Sequence, residues 1–302
     1  MSGPSAPQGS DEAMNLSDFS HHPKVEFQTK VFCILSDERV FRSRSPEIFN
    51  RVFARMGINA LYVPFRVDPE DIAQAVGSLR TLNIAGANIT APFKQAVVPH
   101  LDILSEGGQL IGAINTVICK DKVLKGYNTN AIGLMDTLAH LEFELSGKRV
   151  LVFGNGGAAR SVIFIVNWLQ AEQIYISGRN PARTEATARD FGCRSLAFAE
   201  LLQQPLSVDL VINATSVASP DESPELESLL EKLDLSGAQL MLDLNYGRRE
   251  NIWERSAGKQ GIPFQDGART LAFQARRTFG LWTGMNTLPV QEFLIRNPPE
   301  TG

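Results

Sequence analysis

The stretch Arg149-Val150-Leu151-Val152-Phe153-Gly154-Asn155-Gly156-Gly157-Ala158-Ala159 decides how the rest of the chain is read. An apolar, strand-like run enters a glycine turn directly, and helical sequence continues to about Leu169. In Gly154-x-Gly156-x-x-Ala159 the first glycine permits a tight turn, the second lets a pyrophosphate approach the backbone, and the small third residue lets helix meet strand. A helix mouth placed there offers free N–H groups and positive potential to phosphate. Glycine-rich turns also serve as plain connectors, and it is the position between strand and helix that points this one toward a nucleotide. The next strand ends in Ser177-Gly178-Arg179-Asn180-Pro181-Ala182-Arg183. An NAD site would carry an acidic residue here for the ribose 2′-hydroxyl. Arg179 and Arg183 instead offer two guanidiniums able to clamp a 2′-phosphate, which favours NADP over NAD; a solvated surface pair is the plainer alternative.

Outward from this unit, apolar runs at 173–176, 209–212 and 239–242 extend a β/α alternation that builds a parallel sheet. Upstream, buried-strand patterns fall at 31–35, 61–65, 84–88, 115–119 and 123–125, with a tight turn expected at Lys120 and Asp121. Helical patterns occupy 46–56 and 69–79, and 267–282 reads as an amphipathic helix ending near Gly284. Ser45 before Pro46 forms a natural N-cap and first-turn pair, which places Ser43 and Ser45 at a helix mouth. Asn88-Ile89-Thr90-Ala91-Pro92-Phe93-Lys94 puts small polar groups at a strand end, followed by a lysine near the expected start of a helix. Such a lysine is commonly a solvated surface group, but partial burial lowers its pKa and suits it to acid/base work.

The chain has 302 residues, enough for two modest domains or one large one. A formal charge of −4 and 21% charged residues give no basic field for nucleic acid. No uninterrupted apolar run approaches the roughly 20 residues of a membrane span. Residues 1–24, polar and rich in Pro, Gly and Ser, read as a flexible tail rather than a secretory signal. Cys33, Cys119 and Cys193 are odd in number and far apart, which argues against disulfides or a zinc ribbon and suits a reducing cytoplasm. The four histidines (His21, His22, His100, His140) show no ligand spacing, so no metal is expected.

Taken in order, the blocks SRSPEIFN (43–50), NITAPFK (88–94), GAINT (112–116), GYNTNAIG (126–133), GNGGAAR (154–160), SGRNPAR (177–183), NATS (213–216), DLNY (243–246) and FQDGARTLAFQARRTFGLWTG (264–284) closely resemble the shikimate dehydrogenase family. The resemblance runs from about residue 30 to 285. It implies an α/β fold of two domains: an N-terminal substrate domain (25–126), completed by the C-terminal helix (268–302), and a Rossmann-type NADP-binding domain (127–267). It implies reversible hydride transfer between NADP and the 3-position of a shikimate-like ring, within aromatic amino acid biosynthesis. Positions matching Ser43 and Ser45 hold the substrate carboxylate in that family, and those of Thr90, Asn115 and Gln274 hold the ring and its hydroxyls. Lys94 matches the acid/base, and Tyr246 a tyrosine close to the substrate. The resemblance assigns the dinucleotide to Gly154, Asn155, Gly156, Gly157, Ala158 and Ala159, to Gly178, Arg179, Asn180 and Arg183, and to Thr215, Leu244 and Gly267. A small-molecule partner and a monomer or homodimer are implied.

Two departures stand out. Where the family carries an aspartate paired with the lysine, this chain has Asn130, which can hydrogen-bond but not ionise, so the pKa of Lys94 should fall. Phe49 stands where histidine is usual, a position open to a packing role. Thr270 replaces a common methionine, and Ser216-Val217-Ala218 lacks a usual glycine. Asn130 leaves two other readings in view: a dehydrogenase for quinate, an amino analogue or another carboxylated ring, and a dinucleotide-binding module that has lost catalysis.

Overall fold

Strands and helices alternate through the computed structural model, which describes residues 25–203 and 206–295. The expected tail at 1–24 and the end of the expected C-terminal segment, 296–302, lie outside the described residues. The first lobe contains β1 (Lys30–Ser36), α1 (Ser45–Arg55), β2 (Ala60–Arg66), α2 (Ile72–Thr81), β3 (Gly86–Ile89), β4 (Ile103–Leu104), α3 (Glu106–Ile111), β5 (Thr116–Lys120) and β6 (Val123–Tyr127). Its sheet has the order β2-β1-β3-β5-β6-β4, with β5 antiparallel to both neighbours. The long α4 (Thr129–His140) leads into the second lobe: β7 (Arg149–Phe153), α5 (Gly157–Trp168), β8 (Gln173–Ser177), α6 (Pro181–Phe191), β9 (Arg194–Ser195), α7 (Phe198–Leu201), β10 (Leu210–Asn213), α8 (Pro224–Lys232), β11 (Leu240–Asp243), α9 (Ile252–Gln260) and β12 (Phe264–Gln265). This sheet is parallel throughout, in the order β12-β11-β10-β7-β8-β9.

The sequence character of these strands follows from their place. Central parallel strands are covered on both faces and read as unbroken apolar runs; all four residues of β10 and of β11 are buried. One core lies between this sheet and helices α4 and α5, and another packs the opposite face against α8 and α9 around the buried Trp253. The last helix, α10 (Ala268–Thr283), returns to the first lobe, where Ala272, Ala275 and Phe279 join Phe32, Phe53 and Tyr62 in one core. Trp282 at its end stacks on Phe32 at 4.6 Å between ring centroids and donates from its indole nitrogen to the Val117 carbonyl. The chain therefore crosses between lobes twice.

Four local expectations are corrected. Ser45 is the first residue of α1 rather than its cap: Arg44 occupies that place, and the Ser45 N–H donates to Ser43 Oγ at 3.2 Å. The segment from Pro69 opens with a short 3-10 turn before α2, because Asp71 leaves the helical range. The hairpin between β5 and β6 turns at Asp121 and Lys122, not Lys120 and Asp121, since Lys120 still pairs with Val123 and the two residues left over both take positive φ. Lys94 sits in a chain of turns, not at a helix start. Pro92 and Pro99 bracket it, and neither can donate to a helical ladder.

Candidate active site

Antiparallel pairing aligns Asn88, Thr116 and Tyr127 across β3, β5 and β6. The residues next to them in sequence, Thr90, Asn115 and Asn128 to Asn130, therefore gather at one end of the first sheet. That end faces a cleft of about 680 Å³ whose walls come from both lobes. Ser43, Ser45, Thr90, Lys94, Asn115, Asn130, Tyr246 and Gln274 all line it, joined from the nucleotide-lobe side by Ala158, Arg179, Thr215 and Leu244.

The first-lobe wall is held by hydrogen bonds among buried groups. Thr129 N–H donates to Asn115 Oδ1 at 2.7 Å, and Asn115 Nδ2 donates to Thr129 Oγ1 at 2.8 Å and to Asn130 Oδ1 at 2.7 Å. The hydroxyls of Thr116, Thr129 and Thr278 form a triangle with sides of 3.0 to 3.2 Å. Asn88 Nδ2 donates to the Asn115 carbonyl, and its Oδ1 accepts from the Tyr62 hydroxyl at 2.8 Å. Burial drives the pKa of the same phenol well up, with Ser45 close by acting to lower it. Phe49 lies flat on Tyr62 at 4.8 Å and is buried, so it packs the floor of the cleft and contributes no polar group.

Lys94 lies against the opposite lobe. A Cβ added to Gly157, the first residue of α5, would come within 2.7 Å of Lys94 Cβ, so the absence of a side chain at Gly157 is what lets helix and lysine approach. Among the described residues no salt bridge involves Lys94. Burial lowers its pKa to about 8. This shift comes from desolvation and not from the missing carboxylate at position 130 on which the sequence expectation rested.

On the nucleotide side, Gly154 follows β7 with φ +114°, and a Cβ there would meet the Ala214 backbone at 3.0 Å. Gly156 precedes α5 without any side-chain cap, so the first N–H groups of the helix stay free for an anion. Ala159 is fully buried against the core, as helix–strand contact requires. Asn155 Nδ2 braces the turn by donating to Thr184 Oγ1 at 2.9 Å and to the Asn180 carbonyl at 3.2 Å, and Gly178 packs against that same amide. Asn180 caps α6 by accepting from the Arg183 N–H. Arg179 is exposed at the cleft, whereas the Arg183 guanidinium donates to Gln95 Oε1 of the first lobe at 2.8 Å. Gly267 abuts the Leu244 carbonyl and donates its N–H to the Asn245 carbonyl. An uncapped helix mouth, a left-handed glycine and an exposed guanidinium beyond the next strand suit a phosphorylated dinucleotide.

Residues to which the sequence assigned no role also shape the cleft. Buried Asp243, its pKa raised by burial, accepts from Asn213, Asn245 and Asn251 and so fixes the bend that carries Leu244 and Tyr246. Burial also raises the pKa of the Tyr246 phenol, against which the nearby Ser43 hydroxyl and Arg44 backbone act to lower it. Glu222 accepts from the Ala218 and Ser219 N–H groups with Oε2, while Oε1 faces Arg248 at 3.0 Å and, across the cleft, Arg42 at 3.4 Å. Only acid and base at distant positions mark this bridge, and no short motif contains them.

Residues 36–117 match the family described as the shikimate dehydrogenase substrate binding domain, and residues 137–251 the family described as shikimate / quinate 5-dehydrogenase. A shikimate dehydrogenase (NADP(+)) from Caldanaerobacter subterraneus subsp. tengcongensis is 34% identical over 269 residues, covering 86% of this chain and 94% of that one. Its counterpart from Geobacillus kaustophilus is 36% identical over 81% of this chain and 90% of its own. Among solved structures, shikimate dehydrogenase from Aquifex aeolicus superposes with a TM-score of 0.79 at 29% identity, over 89% of this chain and 97% of that one. Shikimate 5-dehydrogenase from Thermus thermophilus, in complex with NADP(H) and shikimate, gives 0.75 at 30% identity, over 87% and 97%.

Proposed function

The chain belongs to the shikimate dehydrogenase family, and on that premise we propose that it is an NADP-dependent oxidoreductase that interconverts shikimate and 3-dehydroshikimate, a step of aromatic amino acid biosynthesis. The observation that carries this reading is the meeting, in one cleft, of Lys94 with a polar first-lobe wall and the mouth of a dinucleotide turn. NADP, when bound, takes up or returns the hydride. The chain supplies position and a proton path. Ser43 and Ser45 hydrogen-bond the carboxylate, and Thr90, Asn115 and Gln274 orient the ring. Lys94, with its pKa near 8, accepts the hydroxyl proton in its neutral form and returns it as the ammonium. Asn130 orients without ionising. Gly154 to Ala159 receive the pyrophosphate, and Arg179 with Arg183 the 2′-phosphate.

One copy of the chain carries every residue assigned to the site, which is consistent with a monomer or a homodimer. Among the described residues no helix is long and apolar enough to cross a membrane. Three unpaired cysteines fit a reducing cytoplasm. Retention of Lys94, both serines and Gln274 argues against a module that only binds nucleotide. The deciding measurement is the rate of NADP reduction with shikimate and, separately, with quinate, with NAD as the control. Clear NADP-dependent turnover of shikimate, abolished in Lys94→Ala, is the expected result. Absence of turnover with either acid while NADPH still binds would overturn the reading.

A further inference from the structure

The amide of Asn130 has a fixed direction. Because the Thr129 N–H occupies Asn115 Oδ1, Asn115 Nδ2 is the donating end, and the Asn130 atom that accepts from it must be Oδ1. Among the described residues Asn130 Nδ2 has no partner and no buried side-chain nitrogen or oxygen lacks one, so Nδ2 is open to the cleft that Asn130 lines. Lys94 belongs to the same corner: its carbonyl accepts from the N–H of Ile114, the residue before Asn115, at 2.7 Å. A second observation concerns charge. Among the described residues Lys94, Arg39, Arg42, Arg179 and Arg248 line the cleft against Glu222 as its one acid, and Glu222 is already engaged by two of those arginines. Even with Asp37 paired to Arg39, positive charge is in excess.

We infer that Asn130 filters the substrate: the group that meets its amide must be an oxygen with a free lone pair, and ring acids bearing an ammonium there are excluded. This rests on the cleft taking a carboxylated ring, as proposed above. An N–H facing an ammonium leaves two donors without an acceptor, and the neighbouring Lys94 adds like-charge repulsion. A hydroxyl or ketone oxygen accepts from Nδ2, and the hydroxyl can still give its proton to neutral Lys94 while the ketone oxygen takes one from the Lys94 ammonium. A carboxylate at position 130 would instead accept from an ammonium and offset Lys94. The amide thus sets specificity through what it cannot accept.

The test is calorimetric binding, at pH 7 with NADP present, of shikimate and of its analogue carrying an amine in place of the 3-hydroxyl. The wild-type protein is expected to bind shikimate at least about tenfold more tightly than the amine. In Asn130→Asp, which keeps an acceptor oxygen for Asn115, that preference should fall by about tenfold or reverse. Equal binding by the wild type, or an unchanged preference in the variant, overturns the filter alone. If neither ring acid binds, the filter and the proposed function fail together. If shikimate binds with the stated preference but is not turned over, the filter stands and the catalytic reading fails.

Discussion

On the first-lobe wall of the cleft Asn115, Thr116, Thr129 and Thr278 are buried and bonded to one another, whereas on the nucleotide-lobe wall Arg179 stands exposed beyond the end of β8. The contrast matches what each wall must recognise. A ring of hydroxyls is distinguished by which atoms donate and which accept, and that information survives only if the protein's own donors cannot rotate. A phosphate is recognised by charge, which an exposed guanidinium supplies from several geometries. Substrate selectivity is therefore bound up with the packing of the first lobe, and cofactor selectivity is nearly independent of it. Substitutions should separate along that line.

Lys94→Met is the sharpest way to break the comparison, because Lys94 belongs to the first lobe yet owes its burial to Gly157 of the second. Loss of the acid/base should lower kcat by about 10²- to 10⁴-fold. Stability should move the other way. The folded-state pKa of about 8 lies below the ordinary 10.5, so the unfolded chain binds the proton more tightly. The resulting cost is present in full below pH 8 and disappears as pH rises to 10.5. At pH 7 the variant should gain about 1 to 3 kcal/mol, measured by thermal unfolding, and the gain should shrink at pH 10. A variant less stable than the wild type at pH 7 would remove desolvation as the cause of the shift.

Arg179→Ala sharpens the comparison from the other wall. The KM for NADP should rise about tenfold while that for NAD stays level, and thermal unfolding should shift by no more than about 0.5 kcal/mol. Added salt should narrow the gap, because the lost interaction is an exposed one. A large loss of stability would mean that Arg179 carries packing that its exposure denies.

The same division marks how far the sequence could be read. The turn from Gly154 to Ala159 is legible because strand, turn and helix are contiguous and each residue answers a local steric demand. The placement of Lys94 is not: the lysine was recognisable, but its loop is shaped by two prolines and its burial by a glycine more than 60 positions away. Asn130 was visible as a departure, yet the direction of its amide depends on Asn115 and the Thr129 backbone, which meet only after β3, β5 and β6 have paired. Phe49 read as an open question and proves to be floor packing, since Tyr62 arrives against it from β2.

Thr278 is the residue least legible of all, a buried threonine that shares the cleft side of α10 with Thr270 and Gln274, and it carries the mildest test. Its hydroxyl bonds Thr116 at 3.0 Å and Thr129 at 3.1 Å, so the helix that completes the first lobe is pinned to the wall holding Asn115. Thr278→Val keeps the shape and removes the hydroxyl. The two remaining hydroxyls, 3.2 Å apart, still satisfy each other, so the loss should be about 1 to 2 kcal/mol in chemical denaturation rather than the penalty of an orphaned donor. Because Asn115 keeps its bonds to the Thr129 N–H and to Asn130, the KM for shikimate should rise by less than about threefold, and the KM for NADP should not change. Thr278→Ser, which retains the hydroxyl, should recover most of the binding effect. If Thr278→Val instead altered NADP binding while leaving stability intact, the separation of a packed substrate wall from a charge-bearing cofactor wall would be wrong, because α10 would then be transmitting between them.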